Sequence, residues 1–288
     1  MAEAAPAPYI TRRLVSRWLI IGAIAVIFVL MIGYAVGGAA AAGGTVAKAE
    51  KALTTTIDHQ HAVTAILSQD PFKNFDFNST NPDIAKAKTA LARYERRLAQ
   101  SVSAVGADRA ALQAVRPDLR SSLLTLPEQS TINRDRRRVD AALAALDSAG
   151  QGLDMLQKES AFAEPFLDAI AGFEALGSAT DLAAIASQLP GTGANLQKAV
   201  ALAKPPAVPA EAAPMLAAMQ QVLKDLEALV AAVQANDEAA ASKASSALDA
   251  DGKAINGFDT TVIDNADEVR FQPLIDAYNR EMRIAAGN

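Results

Sequence analysis

The stretch IAKAKTALARYERRLAQSVSAV, Ile84 to Val105, decides the fold. Its apolar residues Ile84, Ala87, Leu91, Tyr94, Leu98, Val102 and Val105 recur at steps of three and four. On a helix of 3.6 residues per turn that spacing sends every one of these side chains to one face, the seam of a bundle or coiled coil. Lys86, Lys88, Arg93, Glu95, Arg96 and Arg97 fall between them, on the faces left for water. A half-buried strand would need apolar residues at every second position, and none of this stretch has them.

The same rhythm extends outward in both directions. Val46, Ala49, Leu53, Ile57, Val63 and Leu67 make an earlier stripe. DPFKNFDFNSTNP (70–82) then breaks it, with Asn81 expected to cap the next helix and Pro82 to open it. TLPE (Thr125 to Glu128) has the form of a capping box for a further helix carrying Ile132, Val139, Leu143, Leu146, Leu153 and Leu156. Pro165 restarts the pattern with Phe166, Ile170 and Phe173, and two short helices are expected around Leu182–Ile185 and Leu196–Val200. KPPAVPAEAAP supplies four prolines and reads as a linker. Past it, Leu216, Met219, Leu223, Leu226, Val230 and Val233 form a stripe, followed by Ala244, Leu248, Ile255, Phe258 and Val262, then Leu274, Tyr278 and Met282.

Composition agrees. Hydrophobic residues make up 51% of the chain and aromatics only 5%, a gap filled by alanine, the strongest helix former. The expected fold class is all-α: one N-terminal transmembrane helix, then an elongated antiparallel helical bundle, either single or as two stacked bundles. The expected divisions are a short cytoplasmic N-terminus (1–18), a membrane helix (19–36), a Gly/Ala-rich juxtamembrane segment (37–44), an extracytoplasmic bundle (45–204), a proline-rich linker (205–214) and a C-terminal hairpin or three-helix unit (215–288).

The membrane helix rests on Leu19 to Val36, eighteen residues without a charge. They give roughly 27 Å of helix, close to a hydrocarbon core of about 30 Å. Trp18 and Tyr34 mark its ends, and Arg12, Arg13 and Arg17 precede it, which directs the N-terminus to the cytoplasm and the rest outside. GGAAAAGG also offers a cleavage site, so the alternative is a secreted protein released from a signal peptide; the apolar run exceeds the usual core of about 7–15 residues. Gly33, Gly37 and Ala41 fall four apart, a stripe through which two such helices could pair into a homo-oligomer. A single span leading into an extracytoplasmic helical bundle resembles the layout of the sensory half of bacterial chemoreceptors. Such receptors return through a second span to a signalling module, which this chain lacks, so the resemblance implies signalling only through a partner.

Motifs that would name a chemistry fail on context. LPGTG (Leu189 to Gly193) matches a sortase signal, but 95 residues follow it without a hydrophobic tail, and it reads as a turn between two helices. His59 and His61, the only histidines, point about 200° apart on a helix and cannot converge on one metal; Asp58 and His61 share a face, but two ligands make a weak site. Asp249, Asp251 and Gly252 begin an acidic loop like that of a calcium site, yet Lys253 and Thr260 stand where oxygen ligands are required. GTGANLQK lacks the Gly-Lys-Ser/Thr ending of a phosphate loop, and Asn78 opens an acceptor sequence for N-glycosylation. With no cysteine there is no disulfide, thiolate ligand or lipid-modified cysteine. No catalytic, cofactor-binding or metal residue is nominated, and no cofactor is expected.

Charge divides unevenly. Residues 83–140 hold 12 Lys/Arg against 7 Asp/Glu, a net of +5, and residues 141–288 hold 9 against 20, a net of −11. The basic helices are expected to lie beside acidic ones of the same bundle, the alternative being a surface for anionic lipid or an acidic partner. Nucleic acid is not expected, because the exported portion is acidic and faces away from it. Phe72, Phe75 and Phe77 are expected to cap the bundle end. The functional expectation is a non-catalytic, membrane-tethered scaffold or accessory subunit of an envelope complex, touching lipid through 19–36 and an envelope protein through its bundle. The alternatives are a ligand-binding or sensing module that signals through a partner, favoured by a pocket of convergent polar groups, and an enzyme of unfamiliar type, favoured by a buried cluster of ionisable residues.

Overall fold

The structure, a computed structural model, describes residues 43–72, 83–120, 129–259 and 261–287. The proposed membrane helix at 19–36, Gly33, Gly37, Ala41, Phe75, Phe77, Asn78, Asn81, Pro82 and the TLPE box lie outside the described residues. Among those described, no helix is long and apolar enough to cross a membrane.

Every described element is helical, and seven helices form a bundle. They are α1 (43–67), α2 (Ile84–Val115), α3 (Gln129–Ser178), α4 (Leu182–Leu202), α5 (Ala213–Gln234), α6 (Glu238–Asn256) and α7 (Thr261–Ala286). Starts are set by aspartates. Asp83 caps α2 by accepting from the Lys86 amide at 2.9 Å, Asp181 caps α4 through the Ala184 amide at 2.7 Å, and Asp237 caps α6 through the Ala240 amide at 3.0 Å. Each satisfies an amide that the helix cannot pair internally. Between α5 and α6, Asn236 takes φ +54°, a left-handed conformation that asparagine tolerates and that stops α5.

α2 buries Ile84, Ala87, Leu91, Tyr94, Leu98, Ser101, Val105, Asp108 and Leu112, an unbroken alternation of threes and fours. The seam inferred from sequence is thus the real one up to Leu98. It then runs through Ser101 and Asp108, which an apolar criterion passes over, and leaves Val102 only partly buried.

Two sequence breaks are not breaks in the structure. α3 runs for 50 residues, roughly 75 Å, straight through Pro165. A proline inside a helix costs about 3 kcal/mol in lost hydrogen bonding and crowding. Ala163, Leu167, Ala169 and Leu176 are all buried around it, and at about 1.5–3 kcal/mol per large apolar side chain their packing outweighs the defect. α4 likewise runs through LPGTG, so the expected turn and its two short flanking helices are one helix. Leu189, Thr192, Leu196 and Ala199 lie buried along one of its faces, and the Thr192 hydroxyl donates to the Gln188 carbonyl at 3.1 Å. α7 passes through Pro273 in the same way.

Two large cores result. The first joins α1, α2, the N-terminal half of α3 and the C-terminal half of α7, around Leu53, Leu112, Ile132, Leu146, Leu153 and Tyr278. The second joins the C-terminal half of α3 to α4 and α5, with Ile255 of α6 against it. A smaller third cluster packs the start of α2 on Ala163 and Leu167, with Phe72 beside it. The cores therefore do not part at 205–214. That segment breaks helix as its prolines require, but Ala207, Val208 and Ala212 are buried, and α7 returns from beyond it to the first core. α3 and α4 cross closely at Gly172, where an added methyl would meet the Thr192 Cβ at 2.9 Å.

Glycine substitutions separate a helical LPGTG from a turn. Nothing lies within 4 Å of a methyl at Gly191 or Gly193. Replacing either by alanine raises unfolding free energy by about 0.5–1 kcal/mol, as in any helix interior, whereas a turn needing glycine's backbone would lose stability. Gly172→Ala, at the tight crossing, lowers it by about 1–3 kcal/mol. Urea denaturation of the three variants decides the point.

Candidate functional site

Two polar clusters interrupt the apolar seams. The first lies between α1 and α2. His59 Nδ1 stands 2.8 Å from Asp108 Oδ2, with the aspartate side chain 4% exposed and the imidazole 41%. A carboxylate oxygen accepts, so Nδ1 donates and a neutral His59 turns Nε2 outward as an acceptor. Asp108 sits on the buried seam of α2, one helical step beyond Val105, and His59 on the flank of α1 reaches over to cover it. Tyr278 of α7 faces the same carboxylate from inside the core; burial, and then the Asp108 charge, push its phenol above the ordinary range.

His59 also divides a long shallow trough along the α1–α2 seam. On one side lies a groove of about 380 Å³ walled by Ala52, Thr55, Ala107, Ala111 and Val115, with Lys48 and Lys51 beside them. On the other lies one of about 390 Å³, its buried lining Val63, Ile66 and Ser101, with Ala62, Ala65 and Ala104 on its walls and Arg97 beside them. Alanine on both walls is what makes the seam a trough, because side chains this short leave the space between two helix axes open.

The second cluster stands where α3 passes from one core to the next. Glu159 Oε2 and the Tyr94 hydroxyl are both buried without a hydrogen-bond partner. Burial raises the Glu159 carboxyl from 4.5 to about 7, with Arg270 pulling it down and Asp70 pushing it up. Burial, then the charges of Glu159 and Asp70, raise Tyr94 as well, against Arg97. Next to them Ser160 Oγ donates to Glu95 Oε1 at 2.7 Å. Arg270 of α7 is held elsewhere: its Nη1 donates to the Pro206 carbonyl and, at 2.5 Å, to the Ala207 carbonyl, and it pairs with Asp267. Burial lowers the Arg270 pKa, opposed by Glu159 and then Glu211.

The residues singled out by sequence fall as follows. His59 finds Asp108, and His61 is exposed. Among the described residues no group of three or more histidines and carboxylates is placed to hold a metal ion. Asp251 lies within α6, where a hydrogen bond with Asp225 of α5, then burial, then the Asp225 charge raise its pKa. Much of the basic run on α2 and early α3 meets acids of the bundle, as in Arg109–Asp147 at 2.6 Å and Arg116–Asp140 at 2.7 Å, while Arg93, Arg97, Arg136 and Arg137 stay exposed. Asp108 had a signal in the sequence, since it occupies a seam position where a leucine or valine is expected. Glu159 and Arg270 had none, because their meeting depends on α7 folding back. Comparison with protein-family models, with curated proteins and with solved structures finds no match to this chain.

Removing one partner of a buried pair strands the other. His59→Ala lowers stability by about 1–3 kcal/mol by leaving Asp108 unpaired, and a double-mutant cycle with Asp108→Ala shows about 1–2 kcal/mol of coupling. Tyr94→Phe removes a hydroxyl with no partner and leaves stability within about 0.5 kcal/mol of the parent or above it. Thermal and urea denaturation read both.

Proposed function

We propose that the chain is a non-catalytic, single-pass membrane protein whose extracytoplasmic bundle acts as a scaffold or accessory subunit of a cell-envelope complex, with the α1–α2 trough as its contact surface. The observation that carries this reading is the trough itself, walled largely by alanine. Two walls of small side chains allow another helix to approach closely, and a half-exposed, oriented imidazole in the middle gives that helix one fixed polar contact. Lys48, Lys51 and Arg97 on the rims favour a partner helix with acidic flanks.

The tether rests on the sequence: the uncharged run 19–36, its flanking Trp18 and Tyr34, and the arginines before it. Residues 1–18 then lie in the cytoplasm and the bundle outside. Lys48 follows Val36 by twelve residues, at most about 40 Å of chain, which keeps the trough near the bilayer. Gly33, Gly37 and Ala41 offer a route to pairing within the membrane. Cleavage after the apolar run would instead make it a secreted protein, and N-terminal sequencing of the mature chain separates the two. A second reading, a ligand-binding or sensing module, is favoured by the unpartnered Glu159 and Tyr94 oxygens; stabilisation by a small molecule that Tyr94→Phe abolishes would support it.

A photo-crosslinking amino acid placed at Ala62 or Ala104 of the membrane-embedded protein tests the main reading. Both sites capture the same envelope protein, and an exposed site on α6, Ala240, does not. Capture of lipid alone, or equal capture at all three positions, sinks the trough as a contact surface. A reporter fused at Asn288 must lie outside the cytoplasm.

A further inference from the structure

Four helix ends meet at one end of the first core. Arg138, near the start of α3, reaches α1 through Glu50 at 2.7 Å and α7 through the Ala285 carbonyl, to which its Nε donates at 2.8 Å. The end of α2 joins them. Arg116, just past it, donates to Asp140 of α3 at 2.7 Å, and Ala111 and Val115 line the same groove as Lys48 and Lys51 of α1. Ala49, Leu112, Ile132 and Met282 pack beneath in one cluster.

The charge here is opposite to that of the chain. Segments 43–52, 112–120, 129–140 and 278–287 hold ten Lys/Arg against five Asp/Glu, a net of +5 in a chain of net −5. Four of the five acids are already engaged: Glu50 by Arg138, Asp135 by Arg134 and Arg138, Asp140 by Arg116, and Glu281 by Arg280. Lys48, Lys51, Arg120, Arg136, Arg137 and Arg283 are exposed and form no ion pair with any described acid. In a helix each Cα–Cβ bond tilts toward the N-terminus, and α1 and α3 both begin at this end, so Lys48, Lys51, Arg136 and Arg137 lean toward it. Ile284, 43% exposed on the last turn of α7, adds an apolar side chain beside them.

We propose that this end of the bundle docks on anionic lipid headgroups of the bilayer and thereby fixes the orientation of the bundle on the membrane. The inference rests on the tether proposed above. Gly43, where α1 begins, follows Val36 by seven residues, at most about 25 Å of chain, so this is the end of α1 that the tether holds at the surface. Arg116, Arg134 and Arg138 neutralise acids that would repel an anionic surface, and the unpaired cations can bind phosphate oxygens without giving up an internal partner. Each cation at such a surface contributes about five-fold to binding, within a Debye length of about 10 Å at 0.1 M salt. The remaining residues carry −10, so the surface that attracts this end repels the rest and the attraction has a direction.

The chain has no cysteine, so a single introduced one carries a fluorophore at a chosen place. Gln113→Cys reports on the basic end and Ser68→Cys on the opposite end of α1, both positions being exposed. The full-length protein is placed in nanodiscs of phosphatidylcholine, with or without phosphatidylglycerol, that carry a quencher on their headgroups. At about 0.1 M salt the Gln113→Cys label is quenched more in anionic than in neutral discs, and at about 1 M salt, where screening acts within about 3 Å, the difference vanishes. The Ser68→Cys label shows no lipid dependence. Replacing Arg120, Arg136, Arg137 and Arg283 by glutamine lowers the docked-to-free ratio by at least about 25-fold, the effect of two cations of the four, and lysine at the same positions restores it. Lys48 and Lys51 stay in these variants, which leaves the trough intact. Equal quenching in both discs, lipid dependence at Ser68→Cys, or docking that survives the glutamines overturns the proposal. So does capture of an acidic protein in place of lipid by a photo-crosslinking residue at Gln113 in native membranes. Retention on the disc at about 1 M salt reads the tether separately. A protein that stays without anionic-specific quenching refutes the docking alone, and one that is quenched at low salt but leaves at high salt refutes the tether alone.

Discussion

The structure depends on one helix serving two cores. α3 has 50 residues, and its N-terminal half is buried by α1, α2 and α7 while its C-terminal half is buried by α4 and α5. No loop separates the halves, so α3 fixes both the direction and the rotation of one core relative to the other. Its buried face must change partners along the way, between Leu156 of the first core and Ala169 of the second. Glu159, Ser160 and Pro165 all lie in that interval. Ala163 and Leu167, packed on the start of α2, bridge the interval between the two larger cores.

Much of the fold was legible because helix periodicity is a local property. The α2 stripe, the α5 stripe and the all-helical class follow from spacing and alanine content alone. Proline and glycine misled the reading for a reason that is not local. Pro165, Pro190 and Pro273 each cost a helix about the same few kcal/mol wherever they occur. Whether the helix stops depends on how much apolar surface lies on the far side, and that is known only once α4, α5 and α7 are in place. At LPGTG the burial of Leu196 and Ala199 is what carries α4 onward. The return of α7 to α1 was equally invisible, since no residue in 261–286 says which earlier helix it will meet.

The candidate site shows the same division. Asp108 was readable as a polar residue in a seam position, and His59 as a polar residue nearby, but their pairing needed the antiparallel register of α1 and α2. The trough that surrounds them follows from alanine. Larger seam residues would fill the space between two helix axes and leave a convex ridge. Alanine lets the core close beneath and leaves the outer surface concave, so the residues that make the bundle thin also shape this trough.

Three buried acids of the first core and its border meet burial in different ways. Asp108 has a histidine at 2.8 Å. Asp135, fully buried at the start of α3, has Arg134 at 3.0 Å and Arg138 at 3.7 Å. A partner of either kind returns part of the hydration that an enclosed carboxylate loses. Glu159 keeps Oε2 without a hydrogen bond, and Arg270, the cation that acts on it, is engaged with two carbonyls. Desolvation therefore outweighs the pull of Arg270 and raises the Glu159 carboxyl to about 7.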